Sequence, residues 1–342
     1  MSADPPIPHG GRLDLARRMF PHAPEPWIDL STGIGPYPYP LGDLPHEAFT
    51  RLPDAEAQGR LEGIAARRYR AGPAAEVVAA AGVQAIIQWL PQVVPARRVA
   101  VLGFAYAEHE ARWRAAGASV ARVPDLADLE RADVGVVVNP NNPDGRLVPA
   151  TRLAETARRM AESGGLLVVD EAFMDFSPLA ASLAPLAGMA GLVVLRSFGK
   201  AYGLPGLRLG FALCDGALAA RLRAALGPWA VCGPALAIGA SALADEIWLA
   251  QKAAQLEKDA ARLDALLETS HLDIMGGTSL FRLARSAGAQ RWFAHLCGCG
   301  ILTRRFEERP EWLRFGLPAT SSAWDRLARA LESGHGAREH DA

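Results

Sequence analysis

Residues 134–145 read Val134-Gly135-Val136-Val137-Val138-Asn139-Pro140-Asn141-Asn142-Pro143-Asp144-Gly145. A short apolar run dominated by β-branched valine ends abruptly in a polar segment carrying two prolines, which neither a helix interior nor a central strand accommodates. This is the profile of a strand buried on both faces and followed by a loop at its carboxyl end. The same profile recurs on either side. Apolar runs occupy Glu76–Ala80, Val99–Leu102, Ser119–Val123, Leu166–Val169, Leu192–Leu195 and Leu207–Leu213. Helical periodicity separates them at Val83–Leu90, Ala107–Ala116 and Ala150–Ser163, the last closed by Gly164 and Gly165, which suit a helix C-terminus. The alternation predicts an α/β fold with a mostly parallel, seven-stranded central sheet covered by helices on both faces.

The flanks read differently. Residues 1–45 are rich in proline and glycine, with Pro36-Tyr37-Pro38-Tyr39-Pro40, and are expected to form an N-terminal arm laid over a larger body. Residues 46–250 are expected to make the large domain and residues 251–342 a smaller α+β domain. A long helical stretch from Pro234 to about Leu267 leads into that smaller domain, followed by apolar segments near Leu280–Leu283, Gly300–Arg304 and Trp312–Phe315. Ser333–Ala342 reads as a frayed tail.

Composition narrows the function classes. The chain has 342 residues, half of them hydrophobic and 21% charged, with a formal net charge of −1, which excludes a disordered or strongly nucleic-acid-seeking polypeptide. Ala224–Ala244 carries no charge, but it is mostly alanine and glycine and is broken by Pro228 and Pro234, so a buried segment is expected rather than a membrane span. Met1–Gly11 shows no leader pattern and the four cysteines no disulfide framework, so a cytoplasmic location is expected. Cys297-Gly298-Cys299 lacks a second ligand pair and Glu108-His109-Glu110 lacks a second histidine one helical turn away, so no metal is expected. Only Lys200, Lys252 and Lys258 are lysines; every other basic residue in the Lys+Arg total is arginine.

In open parallel sheets, ligands bind at the carboxyl ends of the strands. Four such ends carry informative residues. Gly82, Val83 and Gln84 open a helix and would aim backbone N–H groups at an anion. Asn139–Gly145 follows the valine run, Asp170-Glu171-Ala172-Phe173 follows Leu166–Val169, and Ser197-Phe198-Gly199-Lys200 follows Leu192–Leu195, with Arg208 shortly after. Taken singly, each has a plain structural reading as a turn, a loop, a helix cap or a surface charge.

In this order and spacing, over roughly residues 9–318, the set resembles the fold-type I pyridoxal-phosphate enzymes, the aspartate aminotransferase superfamily. The resemblance implies pyridoxal 5′-phosphate as cofactor. Lys200 would join its aldehyde, and Asp170 would keep its pyridine nitrogen protonated. Asn142 would donate to O3′, and Tyr106 would stack on the ring. Ser197, Arg208 and the amides around Gly82, Val83 and Gln84 would hold the phosphate.

Within the superfamily the chain is similar to histidinol-phosphate aminotransferases and, more so, to the threonine-phosphate decarboxylases of cobalamin biosynthesis. The features that carry the second likeness are His9-Gly10-Gly11, Asp29-Leu30-Ser31-Thr32-Gly33-Ile34, the run from Asp170 to Phe176, and Trp312–Pro318. Phe173 stands where the aminotransferases place a tyrosine, Gly199 where relatives have a serine, Leu52 where they have a tyrosine, and Gly35 where they have an asparagine. The resemblance implies decarboxylation of L-threonine O-3-phosphate to (R)-1-amino-2-propanol O-2-phosphate, a homodimer, and a phosphorylated amino acid as the small-molecule partner, with no nucleic acid or membrane involved. Arg314 would grip the substrate carboxylate, and Arg304 and His9 the substrate end that carries the phosphate. The alternatives are a histidinol-phosphate or related aminotransferase and a non-catalytic PLP-binding regulator. No basic helix-turn-helix extension favours the regulator.

Overall fold

In the computed structural model, which describes residues 9–336, the seven apolar runs form one sheet. Its strands are β1 (Glu76–Ala80), β2 (Arg98–Leu102), β3 (Ser119–Val123), β4 (Val134–Val138), β5 (Leu166–Asp170), β6 (Leu192–Ser197) and β7 (Gly210–Cys214). They lie in the spatial order β1-β7-β6-β5-β4-β2-β3. Every neighbouring pair is parallel except those of β7, which runs antiparallel to both β1 and β6.

The two-residue period of these strands sorts their side chains into two cores. On one face Val77, Val137, Leu167, Val169, Val194 and Phe211 pack with Leu61 and Ala65 of helix Ala55–Arg68 and with Leu153 and Met160 of helix Ala150–Glu162. On the other face Val78, Val101, Val136, Val168, Leu195 and Ala212 pack with Ile86 and Leu90 of helix Val83–Val93 and with Trp113 of helix Ala107–Ala115. Burial on both faces explains why the inner strands read as continuous apolar runs, whereas β3, at the sheet edge, has no buried residue; each fully buried valine or leucine contributes about 1.5–3 kcal/mol relative to exposure.

The chain divides into two compact units. One comprises Pro38–Asn142 and Arg146–Ala250 and contains the seven-stranded sheet. The other joins the residues up to Tyr37, Pro143–Gly145 and those from Gln251 onward. The second unit holds a four-stranded antiparallel sheet of β8 (Asp273–Thr278), β9 (Phe281–Arg285), β10 (Arg304–Phe306) and β11 (Arg309–Gly316), in the order β10-β11-β9-β8. The arm is more regular than its composition suggests. It carries helix Leu13–Met19, and Ile28-Asp29 pairs in parallel with Ile301-Leu302.

Local differences from the sequence reading have clear causes. The strand expected over Leu207–Leu213 starts only at Gly210, because Pro205–Leu207 forms a 3-10 turn and Arg208 adopts a left-handed conformation at φ 52°. The long helical stretch is two helices, Gly233–Ala244 and Glu246–Thr269. The segment Gly300–Arg304 splits, its first half pairing with the arm and Arg304 opening β10. Strand β8 escaped the pattern because Gly276 and Gly277 interrupt it; a Cβ on Gly276 would collide with the Asp144 carbonyl oxygen. The residues from Ser333 to Gly336 are helical, closing helix Ser321–Gly336, and the remainder of the expected tail lies outside the described residues. Among the described residues no helix is long and apolar enough to cross a membrane.

Candidate active site

Parallel register brings the ends of β4, β5 and β6 side by side: Val138 pairs with Asp170, and Asp170 with Leu195. Asn142, Asp170 and Lys200 therefore issue from three adjacent strand ends, although 58 residues separate the first from the last. The loop after β4 is closed by its own asparagines. Asn139 exchanges hydrogen bonds with the Val148 backbone at 3.1 and 2.7 Å, and Asn141 Nδ2 donates to the Phe104 carbonyl at 3.0 Å. Asn142 sits in the turn they shape, half-buried.

Asp170 is buried, 3% exposed, and its carboxylate is held from two sides. Oδ1 accepts the Ala172 N–H at 3.0 Å, and Oδ2 lies 2.9 Å from His109 Nε2. A carboxylate only accepts, so the imidazole nitrogen is the donor there. Lys200 lies on the one-turn helix Phe198–Ala201 that follows β6, with Nζ 5.4 Å from the centre of the Phe173 ring. Between Asp170 and Phe173, Glu171 is fully buried; it accepts from Arg196 Nη1 at 2.9 Å, while Arg196 Nη2 donates to Asp175 at 2.9 Å. Burial pushes the Glu171 carboxyl up, against the pull of Arg196. This pair clasps the β5–Phe173 loop to the strand that leads to Lys200.

A second cluster forms where β7 lies between β1 and β6, since Gly210 pairs with both Ala80 and Ser197. Gly210 has no room for a side chain: a Cβ there would collide with the Val83 amide nitrogen. Its absence lets the N-terminus of helix Val83–Val93 close onto the strand, beside Ser197. Gly82, at φ 85° and ψ 157°, turns the chain into that helix in a conformation essentially reserved for glycine. A Cβ on Gly82 would stand 2.7 Å from Arg208 Nη2. The Gly82–Gln84 turn, Ser197 and Arg208 thus build a cup with backbone N–H groups, a hydroxyl and a guanidinium, a donor set suited to a phosphate.

Tyr106 caps the start of helix Ala107–Ala115 and is tied to this cup through its hydroxyl, which donates to Gln84 Oε1 at 3.1 Å. Gln84 Nε2 in turn donates to Glu108 at 2.7 Å. One helical turn on from Tyr106, His109 presents its ring edge-on to the tyrosine, centroids 6.2 Å apart.

The three expected substrate residues belong to the other unit. Arg304 and Arg314 are directly paired across β10 and β11. Arg314 is 6% exposed, with Nη2 donating to the Ser31 carbonyl at 2.9 Å and its guanidinium 5.0 Å from the Phe281 ring centre. Burial, and then the neighbouring charge of Arg304, push Arg314 down to about 9, with Asp29 opposing the shift. Two cations held this way favour an anion between or beside them. His9 is exposed.

With this geometry in view, the comparisons with known proteins decide the family. The family model for aminotransferase class I and II matches residues 45–331. The chain belongs to the class I and II aminotransferase family. It is 44% identical to a threonine-phosphate decarboxylase of a Sinorhizobium species, over 95% of this chain and 98% of that protein. It is 43% identical to a threonine-phosphate decarboxylase of Pseudomonas aeruginosa, over 95% of this chain and 97% of that one. The fold is that of the crystal structure of histidinol-phosphate aminotransferase from Sinorhizobium meliloti in complex with pyridoxal-5′-phosphate. The TM-score is 0.78 at 21% identity, covering 95% of each chain.

Class I and II aminotransferases work with pyridoxal 5′-phosphate, and the residues present fit it: a cluster of anion-binding donors in which a Cβ on Gly82 would press on Arg208, a buried carboxylate and a lysine on adjoining strand ends. Three contributors to this aminotransferase-family site were missed in the sequence. Along the chain His109 reads only as a candidate metal ligand; its spacing of three from Tyr106 on a helix is the available signal. Arg196 and Gly210 gave no signal, because their importance arises from partners distant in the chain.

Proposed function

We propose that this protein is a pyridoxal-phosphate-dependent decarboxylase that removes the α-carboxylate of L-threonine O-3-phosphate, giving (R)-1-amino-2-propanol O-2-phosphate for corrinoid assembly. The observation that carries this reading is the near-full-length identity, above 40%, with two proteins named for that activity. When bound, the cofactor supplies a ring that accepts the electron pair released as the Cα–carboxylate bond breaks.

The chain's own residues do the rest. The Gly82 N–H is taken by the Ala80 carbonyl at 2.7 Å, so the Val83 and Gln84 amides with Ser197 and Arg208 would bind the cofactor phosphate, Asn142 would donate to O3′, and Tyr106 would supply an aromatic face. Asp170, oriented by His109 and the Ala172 N–H, holds the proton on the pyridine nitrogen. Lys200 Nζ would be the amine that holds the cofactor aldehyde. Phe173 has no hydroxyl, so Asn142 serves O3′ without the tyrosine that aminotransferases add. Arg314 takes the carboxylate, and Arg304 with His9 takes the phosphate. Anchoring both ends limits rotation about Cα and presents the carboxylate, rather than the hydrogen, for cleavage.

We extend the proposal to a homodimer, supported by Leu41, Phe49 and Leu52, which stand 62%, 66% and 68% exposed around the short helix Glu47–Thr50. The activity test is direct. Purified protein loaded with cofactor should release CO₂ from threonine phosphate and leave histidinol phosphate plus 2-oxoglutarate unconverted. Faster amino transfer from histidinol phosphate would replace this reading with the aminotransferase one.

A further inference from the structure

One segment of the second unit bonds to Arg314 and to the backbone stretches on either side of the arginine pair. The Leu30 N–H donates to the Leu302 carbonyl at 2.8 Å, and the Leu30 carbonyl accepts from Gly316 N–H at 2.7 Å, so this residue ties together the two stretches that carry Arg304 and Arg314. Ser31 follows, 2% exposed. Its carbonyl accepts from Arg314 Nη2 at 2.9 Å. Its hydroxyl donates to Asp29 Oδ1 at 2.5 Å and accepts the Gly11 N–H at 2.7 Å. The arm packs on the same carbonyl: a Cβ on Gly10 would collide with Ser31 O, the atom Arg314 holds. On the opposite side a Cβ on Gly316 would stand 2.5 Å from the Thr32 carbonyl oxygen. Glycine on both flanks leaves the 29–32 backbone wedged between Gly10-Gly11 and β11.

We infer that Ser31 is a positioning residue that couples the His9 arm to Arg314, so that the hold on a phosphorylated substrate's remote end and the hold on its carboxylate are set by one buried side chain and its own carbonyl. This rests on the proposed roles of His9, Arg304 and Arg314. The two halves of Ser31 separate cleanly. Ser31→Ala deletes the hydroxyl that anchors Gly11 and keeps the carbonyl on Arg314; Asp29 loses the hydroxyl's bond, but its Oδ1 still accepts the Ser31 N–H at 2.9 Å and the carboxylate stays in place, so the effect falls on the arm. Gly10→Ala presses on the shared carbonyl, so it disturbs both ends.

The experiment is a double-mutant cycle of His9→Ala and Ser31→Ala in the cofactor-loaded enzyme, reading kcat and KM for threonine phosphate and for threonine, with calorimetric binding of ethanolamine phosphate as a measurement independent of turnover. Ser31→Ala should raise KM for threonine phosphate and the dissociation constant of ethanolamine phosphate by about fivefold, the effect of one neutral hydrogen bond. Kinetics on threonine should not move. In the His9→Ala background the same substitution should add nothing, since the arm has already lost its contact group. Gly10→Ala should impair both substrates, and it supplies the coupling readout if Ser31→Ala does not fold. Additive effects of His9→Ala and Ser31→Ala, or equal losses on threonine and threonine phosphate in Ser31→Ala, would overturn the coupling while leaving the decarboxylase reading intact. A wild-type enzyme that shows no preference for threonine phosphate over threonine would instead remove the reading on which it rests.

Discussion

Replacing Gly82 by alanine tests the phosphate cup at its tightest point. The residue sits at φ 85° and ψ 157°, where an L side chain costs on the order of 1–3 kcal/mol, so the variant should unfold at a lower denaturant midpoint than wild type. The steric consequence is separate. The new Cβ would stand 2.7 Å from Arg208 Nη2, closer than real contacts allow, and the atom that can yield is the end of a flexible guanidinium. Arg208 therefore swings away at little cost to the fold, and the bond proposed between it and the cofactor phosphate should be lost or lengthened. A hydrogen bond to a charged group contributes about 1.5–3 kcal/mol, which corresponds to a roughly 10- to 100-fold weaker dissociation constant for pyridoxal 5′-phosphate. The assay strips the cofactor, titrates it back and follows visible absorbance. Gly206→Ala is the control, because a Cβ there meets nothing within 4 Å although it lies in the same turn as Arg208. If Gly82→Ala is destabilised yet binds the cofactor within twofold of wild type, Arg208 does not hold the phosphate and Gly82 serves only the chain's turn.

Three further outcomes are expected. Lys200→Ala should lose the visible absorbance of the loaded protein while keeping its circular dichroism, and borohydride treatment of wild type followed by peptide mapping should label Lys200 rather than Lys252 or Lys258. Asp170→Asn should bind cofactor but lose most CO₂ release, because an amide fills the space without stabilising a protonated ring; His109→Ala should show a milder loss, about tenfold, and near-normal turnover in Asp170→Asn would assign that acid a purely structural role. In its proposed role Arg314 can grip a carboxylate only while charged, and burial with Arg304 beside it brings its titration down to about 9. So kcat/KM should be sustained below that pH and fall as pH rises through it, and Arg304→Ala, by removing the repelling cation, should move this limb upward.

Much of the large unit could be read along the chain because its strands are buried on both faces. Val134–Val138 and Leu166–Asp170 have no polar face to present, so hydrophobic runs ended by loops marked both the strands and the ends at which Asn142 and Asp170 emerge. The second unit was harder. Strand β8 contains Gly276 and Gly277, where side chains would collide with the Asp144 and Phe281 carbonyl oxygens, and this erases the apolar alternation that would have announced it. The arm looked irregular because its pairing partner, Ile301-Leu302, lies more than 270 residues away.

By itself, then, the sequence determined the α/β alternation, the order of Asn142, Asp170 and Lys200 on successive strand ends, and the small choice of lysines. These depend on local pattern and on chain order, which a linear reading contains. Only the tertiary structure decided that His109 meets Asp170, that Gly82 lies against Arg208, and that the Ser31 carbonyl meets Arg314. Each of these is a contact between residues 61 to 283 positions apart, made by short-range forces that act only once strand register and close glycine packing have brought the groups within about 3 Å.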